Sequence, residues 1–497
     1  MRLSEPTRFI SIVLVVLSAA SWSVCDQADA PANAAASGKV PITTKSEEAR
    51  SEFLQGRELS DKLRVQDSLP HFDKAIALDP DFASAESERA NSSPTAKEFF
   101  EHLNKAVSLA DKASEGEKLL ILANQAGANG DVTKQKDYLD KLVAAYPNDE
   151  RAHFNLGNYY FGQQELDLAI EQYKQTKELA PDFSGTYNIL GYAYRQQADY
   201  ANAEQAFKKY VELIPGDPNP YDSYAELLLK MGKFDDSIAQ YKKALSIDSN
   251  FFASHFGIAA ALMYLGKPDE AVAELQKMAA QSRSDGELRT AFFGMAVVAA
   301  DSGKLDQAVQ EMDKEYAVAA KKNDVAAMAA DLQAKGNILA QMPNYDQAQQ
   351  QFDRSFQMIE ASSLSEKMKD NAKLLHHFNM AAIAIGKKDY AAARTHAEQF
   401  RQGAEASKNP VQIKQAHELA GRIALAEKSY DHAIAELQQA NQQDPQNIYR
   451  LYQAYAGKGD STKAQEYCTK AAGFNSLPQL NYAFVRVKAQ KVAAGKA

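Results

Sequence analysis

Adjacent histidines and a histidine–glutamate pair are the residues of this sequence whose types and spacing could bind a metal. His376 and His377 stand side by side, and His417-Glu418 begins like a His-Glu-x-x-His helix. Neighbouring helical residues point about 100° apart, so His376 and His377 cannot chelate one ion well. In the other motif, Gly421 replaces the second histidine. We therefore predict that the chain has no metal site.

Catalytic constellations are also absent from the sequence. It contains no glycine-rich phosphate loop and no Gly-x-Ser-x-Gly turn. Its two cysteines, Cys25 and Cys468, are too few for a disulfide framework or a cysteine-based metal site. We predict a protein that is not an enzyme, with no catalytic residues and no cofactor.

The charge of the chain is acidic and dispersed. The 497 residues carry a formal net charge of −9, and 24% of them are charged. Nucleic-acid binding needs a concentrated basic face, which this sequence lacks. We therefore exclude nucleic acid from the predicted partners.

The first 25 residues have the pattern of an export signal. Arg2 and Arg8 precede an apolar run at 9–17, which small residues follow at 18–20. A run this short does not span a bilayer comfortably, since spanning takes about 20 apolar residues. We predict a cleaved signal peptide and an exported protein in the periplasm of a bacterial envelope. The alternatives are a lipoprotein leader that anchors the chain through Cys25, or an uncleaved anchor.

A self-repeat of 34 residues organises much of the remaining chain. Blocks that begin at 150, 184, 218 and 252 share small residues at positions 8 and 20 and a large residue at position 24. These residues are Gly157, Gly191, Ala225 and Ala259; Ala169, Ala203, Ser237 and Ala271; and Tyr173, Phe207, Tyr241 and Leu275. A fixed period of this length predicts stacked helical pairs, whose helices touch where the side chains are small.

This pattern resembles the tetratricopeptide repeat (TPR) family. The resemblance covers about residues 49–495 and is most specific over 150–280. It implies an all-α fold, namely an α-solenoid of about twelve TPR-like helix-turn-helix repeats. The solenoid would form a right-handed superhelix and end in a C-terminal capping helix. The tryptophan common at position 4 is replaced by histidine or tyrosine, so we interpret these histidines as packing residues.

Register and composition divide the chain into six predicted segments. They are a signal peptide or lipoprotein leader (1–25), a disordered tether (26–45), degenerate N-terminal repeats (46–148), regular 34-residue repeats (149–283), longer-period repeats (284–446), and the last repeat with the capping helix (447–497). The tether is predicted because its Ala-, Pro- and Ser-rich sequence cannot bury enough apolar surface to offset the entropy of ordering.

The resemblance also implies a concave groove, lined by positions 2, 5, 6, 9, 12 and 13 of the first helix in each pair. Amide and aromatic side chains there would suit an extended peptide, because amides bond its backbone and aromatic rings supply contact area. The peptide-binding candidates are Phe154, Asn158, Asn188, Tyr192, Arg195, Asp222, Glu226 and Phe256. Of the residues with which chaperone-binding TPR modules hold a terminal carboxylate, only Asn158 is present, so that mode is not predicted.

Three hypotheses of function follow from this pattern. The first is a non-catalytic protein- or peptide-binding scaffold of the cell envelope, which binds through the concave groove. The second is a membrane-tethered assembly factor of an envelope complex, held through Cys25. The third is a small-ligand or peptide sensor that uses the longer repeats. The predicted partner is a protein or an extended peptide, and the sequence specifies neither its identity nor the oligomeric state.

Overall fold

The computed structural model describes residues 38–62 and 64–495. Within these ranges the regular elements are helices, and no strand occurs. Contacts divide the chain into two compact units. The first unit extends to residue 227 and includes 246–248, and the second comprises 228–245 and everything from 249 onward.

The first unit consists mainly of five helix-turn-helix pairs. Each pair packs as two neighbouring antiparallel helices, and successive pairs also contact each other. The pairs are α1 (Glu47–Asp61) with α2 (Val65–Leu78), α3 (Ala83–Asn91) with α4 (Ala96–Leu109), α5 (Glu115–Ala128) with α6 (Val132–Ala145), α7 (Glu150–Gly162) with α8 (Leu166–Leu179), and α9 (Ser184–Gln196) with α10 (Tyr200–Leu213). Helices α11 (Asn219–Lys230) and α12 (Phe234–Ile247) contain the boundary between the units.

The second unit continues the same arrangement with six further pairs. These are α13 (Phe252–Tyr264) with α14 (Pro268–Ala280), α15 (Asp285–Asp301) with α16 (Leu305–Lys321), α17 (Val325–Gln341) with α18 (Tyr345–Glu360), α19 (Glu366–Gly386) with α20 (Tyr390–Ser407), α21 (Pro410–Ala426) with α22 (Tyr430–Gln439), and α23 (Pro445–Lys458) with α24 (Ser461–Ala472). The predicted all-α solenoid of TPR-like repeats is confirmed. The handedness of its superhelix stays a prediction.

Longer helices account for the longer sequence period after residue 284. Helices α7 to α10 contain 13 or 14 residues each. Helices α15 to α21 contain between 16 and 21, and α19 is the longest of them. The extra residues lengthen the helices, so the pair remains the structural unit although the 34-residue period is lost.

Missing side chains let the two helices of a regular pair approach each other. A β-carbon placed on Gly157 would lie 2.5 Å from the Tyr173 ring, and one on Gly191 would lie 2.6 Å from the Phe207 ring. Both distances are far below van der Waals contact, so only glycine fits without movement of the fully buried rings. In these two blocks, positions 8 and 24 of the sequence repeat are thus a glycine and the ring that covers it.

Substituting Gly191 with valine is expected to destabilise the first unit. The new side chain would overlap the Phe207 ring, and overpacking a well-packed site costs about 1–3 kcal/mol. Gly216→Val is the matched control, because Gly216 is exposed and a β-carbon there meets nothing within 4 Å. Denaturation followed by circular dichroism should show a lower midpoint for Gly191→Val alone. Equal midpoints for the two variants would contradict the close helix contact.

The segment before α1 is ordered, which corrects part of the tether prediction. Residues 40–45 lie along the first three pairs and the start of α7, where carboxylates accept their backbone N–H groups. The bonds run from Val40 to Asp149 (2.8 Å), from Thr43 to Glu117 (2.9 Å) and from Lys45 to Asp79 (3.0 Å). Charge-assisted hydrogen bonds of this kind offset the entropy of ordering, which composition alone did not reveal. The tether prediction is therefore wrong for residues 38–45.

The predicted leader and Cys25 lie outside the described residues, as do residues 26–37 of the predicted tether. In the part of the chain that the structure describes, no helix has the length and apolar character needed to cross a membrane.

The end of the chain is a broken helix, where the sequence predicted a single C-terminal capping helix within 447–497. Helix α25 (Leu480–Ala483) and helix α26 (Arg486–Ala493) are separated at Phe484 and Val485, whose side chains are both buried. Helix α26 packs on α24, as a cap should, whereas α25 also contacts α15. The break lets this end of the chain contact two different parts of the second unit.

Candidate functional site

The predicted groove residues occupy first helices, and their burial follows their position in the repeat. The four residues at position 5 are at most 3% exposed, and those at position 9 are 6–8% exposed. Arg195, at position 12, is half-buried. Accessibility therefore rises toward the C-terminal end of the first helix. The position-5 residues are Phe154, Asn188, Asp222 and Phe256, and those at position 9 are Asn158, Tyr192 and Glu226.

Phe154 and Phe256 are core residues, which corrects the expectation that they present their rings to a peptide. The Phe154 ring lies 4.9 Å from the Phe183 ring and 5.9 Å from the Tyr173 ring, centroid to centroid. The Phe256 ring lies where a β-carbon on Gly294 would be 2.8 Å from it. Each phenylalanine fills the space between its own pair and the following one, as buried aromatic rings usually do.

Asn158 supports the packing of its own pair. Its Oδ1 accepts a hydrogen bond of 2.9 Å from the hydroxyl of Tyr173, the ring that covers Gly157. Burial raises the pKa of Tyr173 well above its usual value, so this hydroxyl stays protonated and remains a donor. The structure therefore gives Asn158 a structural partner within the fold.

Tyr192, Arg195 and Glu226 form a polar cluster between α9 and α11. The Tyr192 hydroxyl donates to Glu226 Oε1 at 3.1 Å, and Arg195 Nη1 donates to Glu226 Oε2 at 2.9 Å. The Arg195 guanidinium also lies over the Tyr192 ring, 4.6 Å from its centroid. Burial, together with the Glu226 charge, raises the pKa of Tyr192 well above its usual value. The structure thus brings three of the eight predicted residues together.

Asn188 lies one helical turn before Tyr192 on α9. Its side chain is buried, and neither amide atom has a hydrogen-bond partner within the described residues. Leaving a buried donor or acceptor unpaired costs about 1–3 kcal/mol. Asn188, Tyr192 and Arg195 are spaced i, i+4, i+7, so they share one face of α9. This face and Glu226 constitute the candidate site.

The histidines at position 4 pair with residues 19 positions later on the second helix. His153 bonds to Gln172 at 2.8 Å, His255 to Glu274 at 2.5 Å, and His417 to Glu436 at 2.7 Å. This agrees with their interpretation as packing residues, and the 19-residue spacing is the signal that the sequence offered. Within the described residues, no group of three or more His, Cys, Asp or Glu side chains is arranged to hold a metal ion.

His377 faces a second histidine where the other pairs have a carboxylate or an amide. Its Nδ1 lies 3.2 Å from Nδ1 of His396, and burial lowers the pKa of both residues. The neighbouring His376 stacks on the Phe356 ring, with centroids 4.8 Å apart. His376 and His377 therefore have different surroundings, as expected for adjacent residues on a helix.

Replacing Glu274 with glutamine is expected to remove an acid-dependent contribution to stability. The hydrogen bond from His255, aided by Lys277, lowers the pKa of Glu274 to about 2, from a usual value of 4.5. A carboxyl whose pKa falls on folding stabilises the protein above its unfolded pKa, and this contribution disappears as the pH falls through the folded pKa. Glu274→Gln should therefore be less stable than wild type at pH 6, and the difference should shrink between pH 4.5 and pH 2.

Thermal denaturation of both proteins across this pH range measures the difference. Gln172→Glu is the matched comparison, since Gln172 holds the equivalent place beside His153. A constant difference between wild type and Glu274→Gln at every pH would contradict the assignment.

A cleft of about 380 Å³ lies in the second unit, between α14, α15 and α16. Apolar and polar side chains line it in equal number, and two of the polar ones, Glu311 and Lys314, form an ion pair. The lining includes Val272, Gln276, Phe292, Met295, Gln310 and Lys314. A volume of this size falls within the range of small-molecule sites.

Residues 151–289 match the family model of the protein kinase G tetratricopeptide repeat. The matched region contains the regular pairs whose glycine–ring contacts are described above. The chain therefore contains tetratricopeptide repeats.

This TPR protein has relatives that cover parts of it. Human protein O-mannosyl-transferase TMTC3 is 27% identical over 128 residues, which are 23% of this chain and 14% of the human protein. The chain thus spans about a seventh of that relative. A tetratricopeptide repeat protein from Parabacteroides merdae is 14% identical, with a TM-score of 0.35, covering 57% of this chain and 99% of its own. The protein TTC0263 of Thermus thermophilus is 24% identical, with a TM-score of 0.30, covering 33% and 92%.

The TPR fold supports a protein-binding scaffold, and TPR proteins bind peptides or proteins. The fold is typically that of a non-catalytic binding module. Fold alone does not identify what is bound, so the partner has to be argued from particular side chains.

The peptide-binding candidates chosen from the sequence leave out a second row of polar side chains in this protein. Lys230, Tyr264 and Asp301 end the first helices α11, α13 and α15, and all three contact the C-terminal end of the chain. Their spacing in sequence is 34 and then 37 residues, which places each at position 13 of its block. The register could have identified this row, because position 13 is one of the implied groove positions.

Proposed function

We propose that this TPR protein is an exported, non-catalytic scaffold that binds a partner protein or extended peptide through the Asn188 face of α9 and Glu226 of α11. The observation that carries the proposal is the set of side chains on this face of α9 and on α11. It combines the buried, unbonded Asn188 amide with the Tyr192–Arg195–Glu226 cluster. A peptide backbone offers both a carbonyl and an N–H group, which are the partners that an amide side chain requires.

Arg195 is the accessible member of this face. Its side chain is 21% exposed, and its bond to Glu226 uses one of the five N–H donors of a guanidinium. A peptide carbonyl or carboxylate could accept from the others. Contact between the partner and Arg195 would come first, and access to the deeper Asn188 amide would require a small movement of α9 relative to α11.

A pull-down from envelope extract tests the proposed face. Wild type is compared with Asn188→Ala/Arg195→Ala, and with Arg401→Ala, which removes an exposed arginine that binds Glu398 and Glu405 on α20. The expected result is a partner set shared by wild type and Arg401→Ala and lost from the double variant. Recovery of the same partners by all three proteins would show that binding occurs elsewhere.

Export and anchoring form a separate part of the proposal. The basic and apolar pattern of the first 25 residues supports export. Cys25 supports the alternative in which a lipid tethers the protein to the membrane. Fractionation of cells that express the full chain should place it in the periplasm. Labelling with radioactive palmitate that disappears in Cys25→Ala would favour the membrane-tethered assembly factor over the free scaffold.

The cleft between α14, α15 and α16 supports a second candidate function, the binding of a small ligand by the start of the longer repeats. Lys314 in this cleft is paired with Glu311, which also lines it, so the apolar side chains and the neutral glutamines would suit an apolar molecule that carries a hydrogen-bonding group. A thermal-shift screen should then find ligands that stabilise wild type and not Phe292→Ala. A screen without such ligands would exclude this alternative.

A further inference from the structure

The C-terminal segment (residues 474–486) lies across the ends of three successive first helices in the second unit. Its contacts on those helices are Lys230, Tyr264 and Asp301. Lys230 Nζ donates to the backbone carbonyl of Phe474 and lies 3.6 Å from the centroid of its ring. A ligand that crosses a stack of repeats meets one equivalent residue in each repeat. From its start to its end, the segment contacts Lys230, then Tyr264 and then Asp301, one residue from each repeat.

Tyr264 recognises the backbone of the segment. Its hydroxyl donates to the carbonyl of Ser476 and accepts from the N–H of the same residue at 3.3 Å. The Tyr264 side chain thus hydrogen-bonds to both the carbonyl and the N–H group of one residue. Any extended peptide has these two backbone groups. The neighbouring Leu477 packs against an apolar cluster that includes Leu229 and Ala260.

Asp301 recognises a cation further along the segment. Arg486 Nε donates to Asp301 Oδ1 at 2.6 Å, and Nη2 of the same guanidinium donates to Oδ2, so the pair is bidentate. Both side chains are buried, and the Arg486 guanidinium lies 5.4 Å from the Tyr264 ring centroid. A buried ion pair of this geometry makes binding depend strongly on the presence of both charges.

Within the segment, residues 474–479 form no helix or strand. Asn475 adopts a positive φ of 34°, a conformation that asparagine tolerates better than other residues with a side chain and that ends the regular helix here. The backbone groups of Phe474 and Ser476 instead find partners on Lys230 and Tyr264. This stretch therefore depends on the repeats for its conformation, as a bound peptide does.

We propose that the row formed by Lys230, Tyr264 and Asp301 is a peptide-binding site that the chain's own C-terminal segment occupies reversibly. The external ligand is an extended peptide with the same chemistry: an aromatic residue, backbone groups two residues later, an adjacent leucine, and an arginine further on. Such a peptide competes with the segment, whose covalent attachment gives it an effective concentration near the millimolar range. The site shares no residue with the α9 face, so either proposal can fail without the other.

The test measures binding of a fluorescein-labelled synthetic peptide, copied from residues 473–487, to the full chain by fluorescence anisotropy. Arg486→Gln weakens the hold on the chain's own segment and leaves Asp301 available to the arginine of the peptide. The expected result is binding at least about tenfold tighter than to wild type, since the tethered competitor is removed. Lys491→Gln is the control, because Lys491 is an exposed cation of the same helix, and it should bind as wild type does.

A second variant separates release of the segment from loss of the site. Arg486→Gln/Asp301→Asn frees the segment and also removes the carboxylate, so the gain in peptide binding should disappear. Hydrogen exchange of residues 474–493 confirms release in Arg486→Gln, and Leu477→Asp/Arg486→Gln provides a stronger release. Fast exchange without peptide binding would overturn the site. Slow exchange in both releasing variants would overturn reversibility.

The remaining alternative is that the segment occupies the row of a second copy of the chain, and the oligomeric state tests it. Light scattering of wild type should give a monomer. A wild-type dimer that dissociates in Arg486→Gln would show that the segment occupies the row of a second copy, and would overturn the intramolecular arrangement.

Discussion

Asp301→Asn is expected to detach the C-terminal segment from the second unit. The substitution leaves the Arg486 guanidinium buried without its carboxylate, and breaking one side of a buried pair costs about 3–5 kcal/mol. This loss weakens the docking of the C-terminal segment, because Arg486 belongs to that segment and Asp301 belongs to the repeats. Exchange of the backbone amides at 480–485, which include α25, should then become roughly a hundredfold faster or more, whereas α26 keeps its packing on α24.

Hydrogen exchange with mass spectrometry measures this effect directly. The control is Asp313→Asn, which removes the carboxylate of an exposed pair with Lys335 on neighbouring helices. Exposed pairs contribute about 0–1 kcal/mol, so the amides at 480–485 should exchange as in wild type. If Asp301→Asn left these amides as protected as in the control, the buried pair would not be what holds the segment.

Phe207→Ala is expected to cause a large loss of stability in the regular pairs. The ring is fully buried, covers Gly191, and meets the Tyr192 ring edge-on at 5.3 Å. Phenylalanine-to-alanine changes in a core cost about 3–5 kcal/mol, through lost burial and the cavity that remains. The midpoint of unfolding should fall accordingly, whereas Leu168→Ala, at a residue that is 40% exposed, should stay near wild type.

A double-mutant cycle makes this test specific to the glycine–ring contact. Gly191→Val alone is overpacked, but in Gly191→Val/Phe207→Ala the valine enters the space that the ring has left. The double variant should therefore be more stable than the sum of the single effects predicts, by more than the roughly 0.5 kcal/mol typical of independent sites. Simple additivity would mean that the two residues do not share this space.

The 34-residue register predicted the fold well, because the contacts that define it are local. Gly157 and Tyr173, or Gly191 and Phe207, belong to one pair and are separated by 16 residues. Their small and large side chains had to meet wherever two helices of that length fold back on each other. The same logic interpreted His153, His255 and His417 correctly, although it did not identify their partners.

Long-range contacts explain what the sequence could not predict. Phe154 and Phe256 were expected in the groove, but burial at position 5 depends on how closely successive first helices approach. The ordering of residues 40–45 depends on carboxylates 34 to 109 residues away. Likewise, Arg486 gave no sign that its partner is 185 residues earlier in the chain. Periodicity specifies neighbours within the stack, whereas these contacts join parts of the chain that no period relates.

The ordered segment at 40–45 limits how far a lipid anchor on Cys25 could let the protein move. Only residues 26–39 would separate that anchor from Val40, whose backbone is hydrogen-bonded to Asp149. Fourteen residues span at most about 50 Å when fully extended, and a random chain of that length spans roughly 20 Å. In the anchored alternative, the edge formed by Asp79, Glu117 and Asp149 would therefore face the bilayer at close range. A partner that binds at this edge would have to be reached at the membrane surface.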